Sequence, residues 1–338
     1  MKATHLRVIL PLAALGAAVW LTAAAPTVVS ILRQTNGEML LTSAADAGAF
    51  YRIDTSADLS QWTPLVTVQS TGTEQLLDTA APHLDRRFYR ATPLTGTGII
   101  TGDHLQTTNG DAVLHPIGHA SVMVSWNGKA FYSDPSDLNN NAPRFTGLPL
   151  ADVIVVTHTH GDHFSTSRLN LLVKADTVIF APQLVFNGMS TTNIPGKTFT
   201  LRSRTTVLAN GATGTAHGMT VRAIAMYNMV PNVNPIGHPQ GDGNGYVVTM
   251  GGKNLYFSGD TEDIPEMRAL TNIDAAFVCM SETSNMLPEV AASAVRAFRP
   301  RIAFPYHYTQ GGTPFNTALF KTIVGTDLGI EVRQRKFY

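Results

Sequence analysis

A single cysteine, Cys279, stands among 338 residues, so no internal disulfide can hold this chain together. Nor does any cysteine follow the N-terminal apolar stretch to carry a lipid. Cys279 itself lies in an apolar run and reads as a small core residue, not a reactive thiol. The chain also lacks an excess of charge of either sign, with 24 Lys and Arg against 24 Asp and Glu. A groove that tracks phosphates leaves a basic surplus, so the balance argues against nucleic acid as a partner. Repeats are missing too: Phe-Tyr-Arg occurs at 50–52 and 88–90, and two short matches make no repeat architecture.

What is present divides into three stretches. Lys2 and Arg7 precede an apolar run from Val8 to about Ala25, closed by Ala23-Ala24-Ala25-Pro26. A positive start, an apolar centre and small residues at the end describe a secretory signal over residues 1–25, with the mature chain starting near Pro26. This predicts a periplasmic or extracellular protein. Contact with a membrane is expected only if the segment stays uncleaved, since its length approaches the roughly 20 residues a spanning helix needs. Residues 27–95 show short alternating runs, such as Leu65-Val66-Thr67-Val68 and Arg87-Phe88-Tyr89-Arg90, broken by turn residues. They predict a small all-β accessory module, and with Ser56, Leu59 and Trp62 between them they resemble a fibronectin-type-III-like module of secreted bacterial proteins. A Thr95-Gly96-Thr97-Gly98 link then leads to residues 99–338, where strand-like and helix-like runs alternate. The clearest helix is predicted at Pro288 to Phe298, with Pro at a first helical turn and Glu289 complementing its dipole. The alternation indicates an α/β domain.

The densest chemistry follows the apolar run Val153-Ile154-Val155-Val156. There Thr157-His158-Thr159-His160-Gly161-Asp162-His163 packs three of the eleven histidines and a carboxylate into six residues. His158 and His160 are two apart, so an extended segment points both rings to one side. Asp162 and His163 then turn toward a second point, and such a chain can present ligands to two adjacent metal ions. Three further apolar runs also lead to polar candidates: Val221–Tyr227 to a loop holding His238, Leu255–Gly259 to Asp260, and Ile302–Tyr306 to His307. Functional groups gather at strand ends because rigid strands fix the loops that follow.

With these residues in hand, the chain resembles the metallo-β-lactamase superfamily, whose mark is His-x-His-x-Asp-His after a strand. The likeness covers residues 104–338 and extends to Gly118-His119-Ala120-Ser121, Asp134-Pro135, His238-Pro239-Gln240-Gly241, Ser258-Gly259-Asp260-Thr261 and Pro305-Tyr306-His307-Tyr308. Within the superfamily it is similar to the branch containing ascorbate-phosphate-lactonase-like proteins and N-acylphosphatidylethanolamine phospholipase D. The resemblance implies a four-layer αββα sandwich. It also implies that His158, His160 and His238 bind one metal, that Asp162, His163 and His307 bind a second, and that Asp260 bridges them. Imidazoles with a few carboxylates suit Zn²⁺, with Mn²⁺ also reasonable, and a bridging carboxylate suits two close cations. By the family pattern His119, read here within an apolar strand, faces the site without being a primary ligand, either touching substrate or supporting a ligand. Asp134 is expected to orient a ligand or end a strand. Tyr227, Asn228 and Tyr308 sit beside ligands, whereas His83, His104, His115 and His217 have no convergent partners in sequence.

Two cations lower the pKa of a held water from 15.7 toward ~7, giving hydroxide at neutral pH. The expected enzyme is therefore an exported metal-dependent hydrolase, without organic cofactor, acting on an ester, lactone or phosphodiester bond of a small-molecule or lipid-like substrate. Asp162 is a candidate for proton transfer. The alternatives are a β-lactamase-type amide hydrolase and a non-catalytic exported binding protein. A redox di-iron role is less fitting, since that branch places Glu where His160 stands.

Overall fold

The computed structural model describes residues 25–138, 141–229, 237–281, 285–310, 313–314 and 316–337. The signal-like segment through residue 24 lies outside them. Period-two alternation explains the layering. In the Ser121–Trp126 strand, Val122 and Val124 point one way and Met123 the other. Val153 and Val155 likewise oppose Ile154. The first set, with Phe131 and Phe180, meets Val221, Tyr246, Val248 and Phe257 of a second sheet in one dry core. The opposite set, with Tyr132 and Ile179, packs under Leu169 and Leu172 of the Thr166–Leu172 helix and Val185 of the Gln183–Gly188 helix. The outer face of the second sheet is covered in the same way by the Pro288–Phe298 and Thr317–Val324 helices, through Ala291, Val295, Phe298 and Phe320. Strands with both faces apolar demand a cover on each side, and the result is αββα.

The seven-stranded sheet runs Thr213–Ala216, Met219–Met226, Gly243–Met250, Lys253–Phe257, Ala275–Cys279, Ile302–Tyr306, Glu331–Val332. The other sheet has ten strands and reaches beyond the hydrolase region. Its strand Gly102–Thr107 pairs with Gly110–Gly118 on one side and, through Val66↔Asp103 and Thr67↔Gly102, with Thr63–Gln69 on the other. The N-terminal region is therefore not a bead on a string: Thr63–Gln69, Phe50–Ser56 and Phe88–Leu94 extend the hydrolase sheet. Thr27–Arg33, Met39–Ala44 and Thr73–Asp78 form a separate three-stranded sheet, and Leu41, Tyr51, Ile53, Leu65 and Val66 form a small core of their own. Gly102 lets the Gly102–Thr107 strand lie close against its other neighbour, because a Cβ there would sit 2.2 Å from the Leu114 carbonyl oxygen of Gly110–Gly118. Buried ion pairs reinforce the seam, with Asp103 held by Arg333 and Arg335 and Glu38 by Lys321.

Each sheet carries a run of parallel strands toward one end. Lys129–Ser133, Ala151–Val155 and Val173–Ala181 are parallel in one, and Lys253–Phe257, Ala275–Cys279 and Ile302–Tyr306 in the other. Their C-terminal ends open on the same edge of the sandwich, and the chemistry gathers there.

Candidate metal centre

His158 and His160 leave the end of Ala151–Val155, Asp260 follows Lys253–Phe257, and His307 directly follows Ile302–Tyr306. The loop after Met219–Met226 brings in His238. His158 Nε2 lies 3.0 Å from His160 Nδ1, which lies 3.2 Å from His238 Nε2, itself 3.6 Å from Asp260 Oδ2. On the other side of Asp260, His163 Nε2 lies 3.2 Å from Oδ1 and His307 Nε2 lies 3.3 Å from Oδ2. Asp162 Oδ2 lies 3.3 Å from His307 Nε2 and 3.7 Å from His163 Nε2. Ligands 2.0–2.1 Å from a tetrahedral ion are spaced about 3.3 Å apart, and these separations cluster around that value. His163 Nε2, His307 Nε2 and Asp260 Oδ1 are buried and have no hydrogen-bond partner among the described residues. Three orphaned buried lone-pair atoms cost several kcal/mol unless something meets them. Their convergence fits a cation.

The far sides of the rings decide which nitrogen is free. Asp134 Oδ1 accepts from the Thr157 N–H at 2.7 Å, and its Oδ2 accepts from the Thr157 hydroxyl at 2.7 Å and from His163 Nδ1–H at 2.8 Å. With its proton given to Asp134, Thr157 Oγ1 can only accept from His158 Nδ1–H, 3.0 Å away. Asn228 Oδ1 accepts from His238 Nδ1–H at 3.0 Å. In each case Nδ1 carries the proton and Nε2 turns a lone pair inward, the arrangement that orients metal-ligating histidines. Burial, and for His158 the neighbouring His163, pushes the imidazoles of His158 and His238 below their ordinary range, His238 to about 4, so both are neutral at pH 7. Burial works against charge on His163 as well, but Asp260, Asp162 and Asp134 outweigh it and raise its pKa. Three carboxylates around one ring call for positive charge.

His119 stands in the turn between Gly110–Gly118 and Ser121–Trp126, outside either strand, with φ at +53°. Its backbone N–H donates to the Phe337 carbonyl, and its own carbonyl accepts from His307 N–H at 3.0 Å. Nε2 meets Asp162 Oδ2 at 2.9 Å, so the ring supports a candidate ligand. Burial and then the charge of His307 depress its pKa to about 4. Asp134 and His307 also hold left-handed backbones, at φ +45° and +52°. Non-glycine residues adopt this region at a cost, and such positions cluster at functional sites. Gly259, at φ +61°, has no room for a side chain, since a Cβ would meet Met226 Sδ at 2.6 Å and Thr157 Cβ at 3.0 Å.

Among the weaker candidates, Asn228 proves to orient His238, while Tyr227 bonds Glu266 and Tyr308 is buried with its hydroxyl donating to the Arg335 carbonyl. His104 is held by Thr67 and Asp111, and His115 by Thr101. His217 does approach Asp152 and Asp176, but Lys129 and Lys174 already neutralise Asp152 at 3.2 and 2.8 Å. Sequence reading passed over Thr157, whose hydroxyl links two rings, and Asn285, whose side chain lies 3.4 Å from His307 Nδ1. Neither polar residue stands out without the fold.

A family model described as a beta-lactamase superfamily domain matches residues 114–307, more than half of the chain. The chain belongs to this superfamily. A UPF0173 metal-dependent hydrolase of Geobacillus sp. is 29% identical to this superfamily member over 204 residues, spanning 56% of this chain and 83% of the relative. A solved structure from Parabacteroides distasonis, assigned as a metal-dependent hydrolase, is 33% identical with a TM-score of 0.60 and covers 71% of this chain and 100% of its own. Igni18, a metallo hydrolase of Ignicoccus hospitalis, shares the fold at 20% identity and a TM-score of 0.52, covering 66% and 94%. By this kinship the chain is a metal-dependent hydrolase of the metallo-β-lactamase superfamily. The matched family model begins at residue 114, beyond the N-terminal region.

Proposed function

We propose that this superfamily member is an exported hydrolase that uses two divalent cations, Zn²⁺ fitting best, to cleave an ester, lactone or phosphodiester bond. The observation that carries the reading is the spacing of 3.0 to 3.7 Å among inward-facing ligand atoms on both sides of Asp260. His158, His160 and His238 would hold one ion, Asp162, His163 and His307 the other, and Asp260 both. When bound, the pair of ions supplies Lewis-acid charge to the reacting oxygen and makes water a nucleophile at neutral pH.

The protein's own groups supply position. The network of Asp134, Thr157 and Asn228 fixes ring tautomers, and His119 fixes Asp162. Asp162 is 27% exposed and His160 is half-buried, while the remaining candidate ligands are buried. Substrate therefore approaches from the Asp162–His160 side, where Asp162 is placed to pass a proton toward the leaving group. The neutral overall charge favours a small or lipid-like substrate over a nucleic acid. Export rests on the Lys2–Pro26 pattern. Among the described residues no helix is long and apolar enough to cross a membrane. Residues 27–95 serve as an accessory module joined to the catalytic sheet.

Metal analysis followed by a screen of chromogenic lactones, esters, phosphodiesters and a cephalosporin tests the reading. Up to two metals per chain are expected, with turnover in one of the first three classes. Replacing His160 or Asp260 with Ala should remove metal and activity together. Undiminished hydrolysis by metal-free protein, or cephalosporin as the preferred substrate, would refute it.

A further inference from the structure

A cavity of about 580 Å³ lies far from the metal centre. Arg301, on its wall, precedes the Ile302–Tyr306 strand, whereas His307 follows it. Six residues of strand put roughly 20 Å between the two. The cavity runs along the seam between the N-terminal region, which contributes Arg86, Gln61 and Thr63, and the hydrolase domain, which contributes Arg301 and Gln106.

Its charge is uneven once internal pairs are removed. Arg87 is taken up by Asp78. Arg333 is shared by Asp103 and Glu331. Arg86 and Arg301 have no side-chain partner among the described residues, although both line the cavity. Against these two guanidiniums stands one further carboxylate, Asp58, which is committed to the backbone N–H groups of Ser60 and Gln61 at 2.8 and 2.9 Å. A guanidinium presents a fork of donors that matches an oxyanion. The amides of Gln61 and Gln106 and the Thr63 hydroxyl add neutral donors and acceptors of the kind that bind hydroxyl groups.

We propose that this cleft binds a small polyhydroxylated organic anion, its carboxylate or phosphate held between Arg86 and Arg301. The ligand bridges the accessory region and the catalytic domain, and the site is separate from the hydrolytic centre. Calorimetry on the full chain tests this with D-glucuronate, inorganic phosphate and neutral D-glucose as separate probes, using wild type, Arg86→Gln, Arg301→Gln, the double Gln variant and Arg301→Lys. Glucuronate is expected to bind wild type, each Gln variant to weaken binding by at least about tenfold, and the double variant to abolish it. Arg301→Lys should retain part of the affinity, and ester or phosphodiester hydrolysis should stay unchanged throughout. Phosphate competing with glucuronate identifies the anion as sufficient; phosphate failing to compete identifies the carboxylate and hydroxyls as required. Undiminished glucuronate binding in the folded double variant, glucose binding as tightly as glucuronate, or no binding of either anion to wild type would overturn the proposal.

Discussion

Replacing Asp134 with Asn isolates one electrostatic link in the centre. The residue is buried with φ at +45°, and Asn tolerates the left-handed region as readily as Asp, so the backbone should not move. The new amide oxygen can still accept the Thr157 N–H now bonded to Oδ1. Where Oδ2 stood, however, an NH₂ group would face His163 Nδ1–H, now 2.8 Å away. The Thr157 hydroxyl can rotate to accept, but the ring cannot. His163 must move its proton to Nε2, the atom aimed at the cation, or turn away. The cost therefore falls on metal binding more than on folding. Loss of such an outer partner typically weakens metal affinity 10–100-fold, or about 1.4 to 2.7 kcal/mol. Competition against a chromogenic chelator gives the Zn²⁺ affinity, and thermal unfolding of the metal-free protein shows whether the fold survives. A folded Asp134→Asn variant that held Zn²⁺ within about twofold of wild type would refute the assignment of Asp134 as the group orienting His163.

Gly259→Ala meets both the left-handed backbone and the contacts with Met226 and Thr157; loss of more than about 1 kcal/mol of stability is expected, with weakened metal binding, and an unchanged melting temperature would contradict it. Cys279 is buried, and burial pushes its thiol up to about 12. It should ignore a thiol reagent in the native protein and react fully in denaturant; stoichiometric native labelling would show otherwise. Asp103 has its pKa raised by burial and lowered more strongly by Arg335 and Arg333, ending below the ordinary 3.8. Because the native value is depressed, the stabilisation is fully present above pH 3.8 and drains away as pH falls below it. Acid unfolding should therefore be less steep below about pH 4 in an Asp103→Asn variant, itself less stable at neutral pH; parallel acid profiles would refute the linkage.

Much of the hydrolase domain was legible because its signals are local. The Pro288–Phe298 helix is bounded as its Pro, Glu and apolar period predicted, and each ligand candidate follows an apolar run that is a strand. His119 was misplaced into a strand because its neighbours are apolar; the turn exists through contacts with Phe337 and His307, distant in sequence. The same holds for the junction of the N-terminal region. The Thr95–Gly98 link reads as a boundary, but sheet pairing across it sets Val66 and Thr67 beside Asp103 and Gly102, a long-range match that leaves no local pattern in the chain. Asn285 and Thr157 carry no such signal, because a lone polar residue acquires a role only when a particular ring is set beside it.

The hold of Phe337 on His119 bears on the order of assembly. The candidate ligands span His158 to His307, and the turn carrying His119 is tied to residues near the far end of the described chain. A partly synthesised chain can offer the His158–His163 cluster but neither Asp260 nor His307. Tight capture of metal is thus a late step, completed where the chain finishes folding. Since metal choice rests on availability as well as on geometry and ligand type, the compartment of that last step helps set which ion the site meets first.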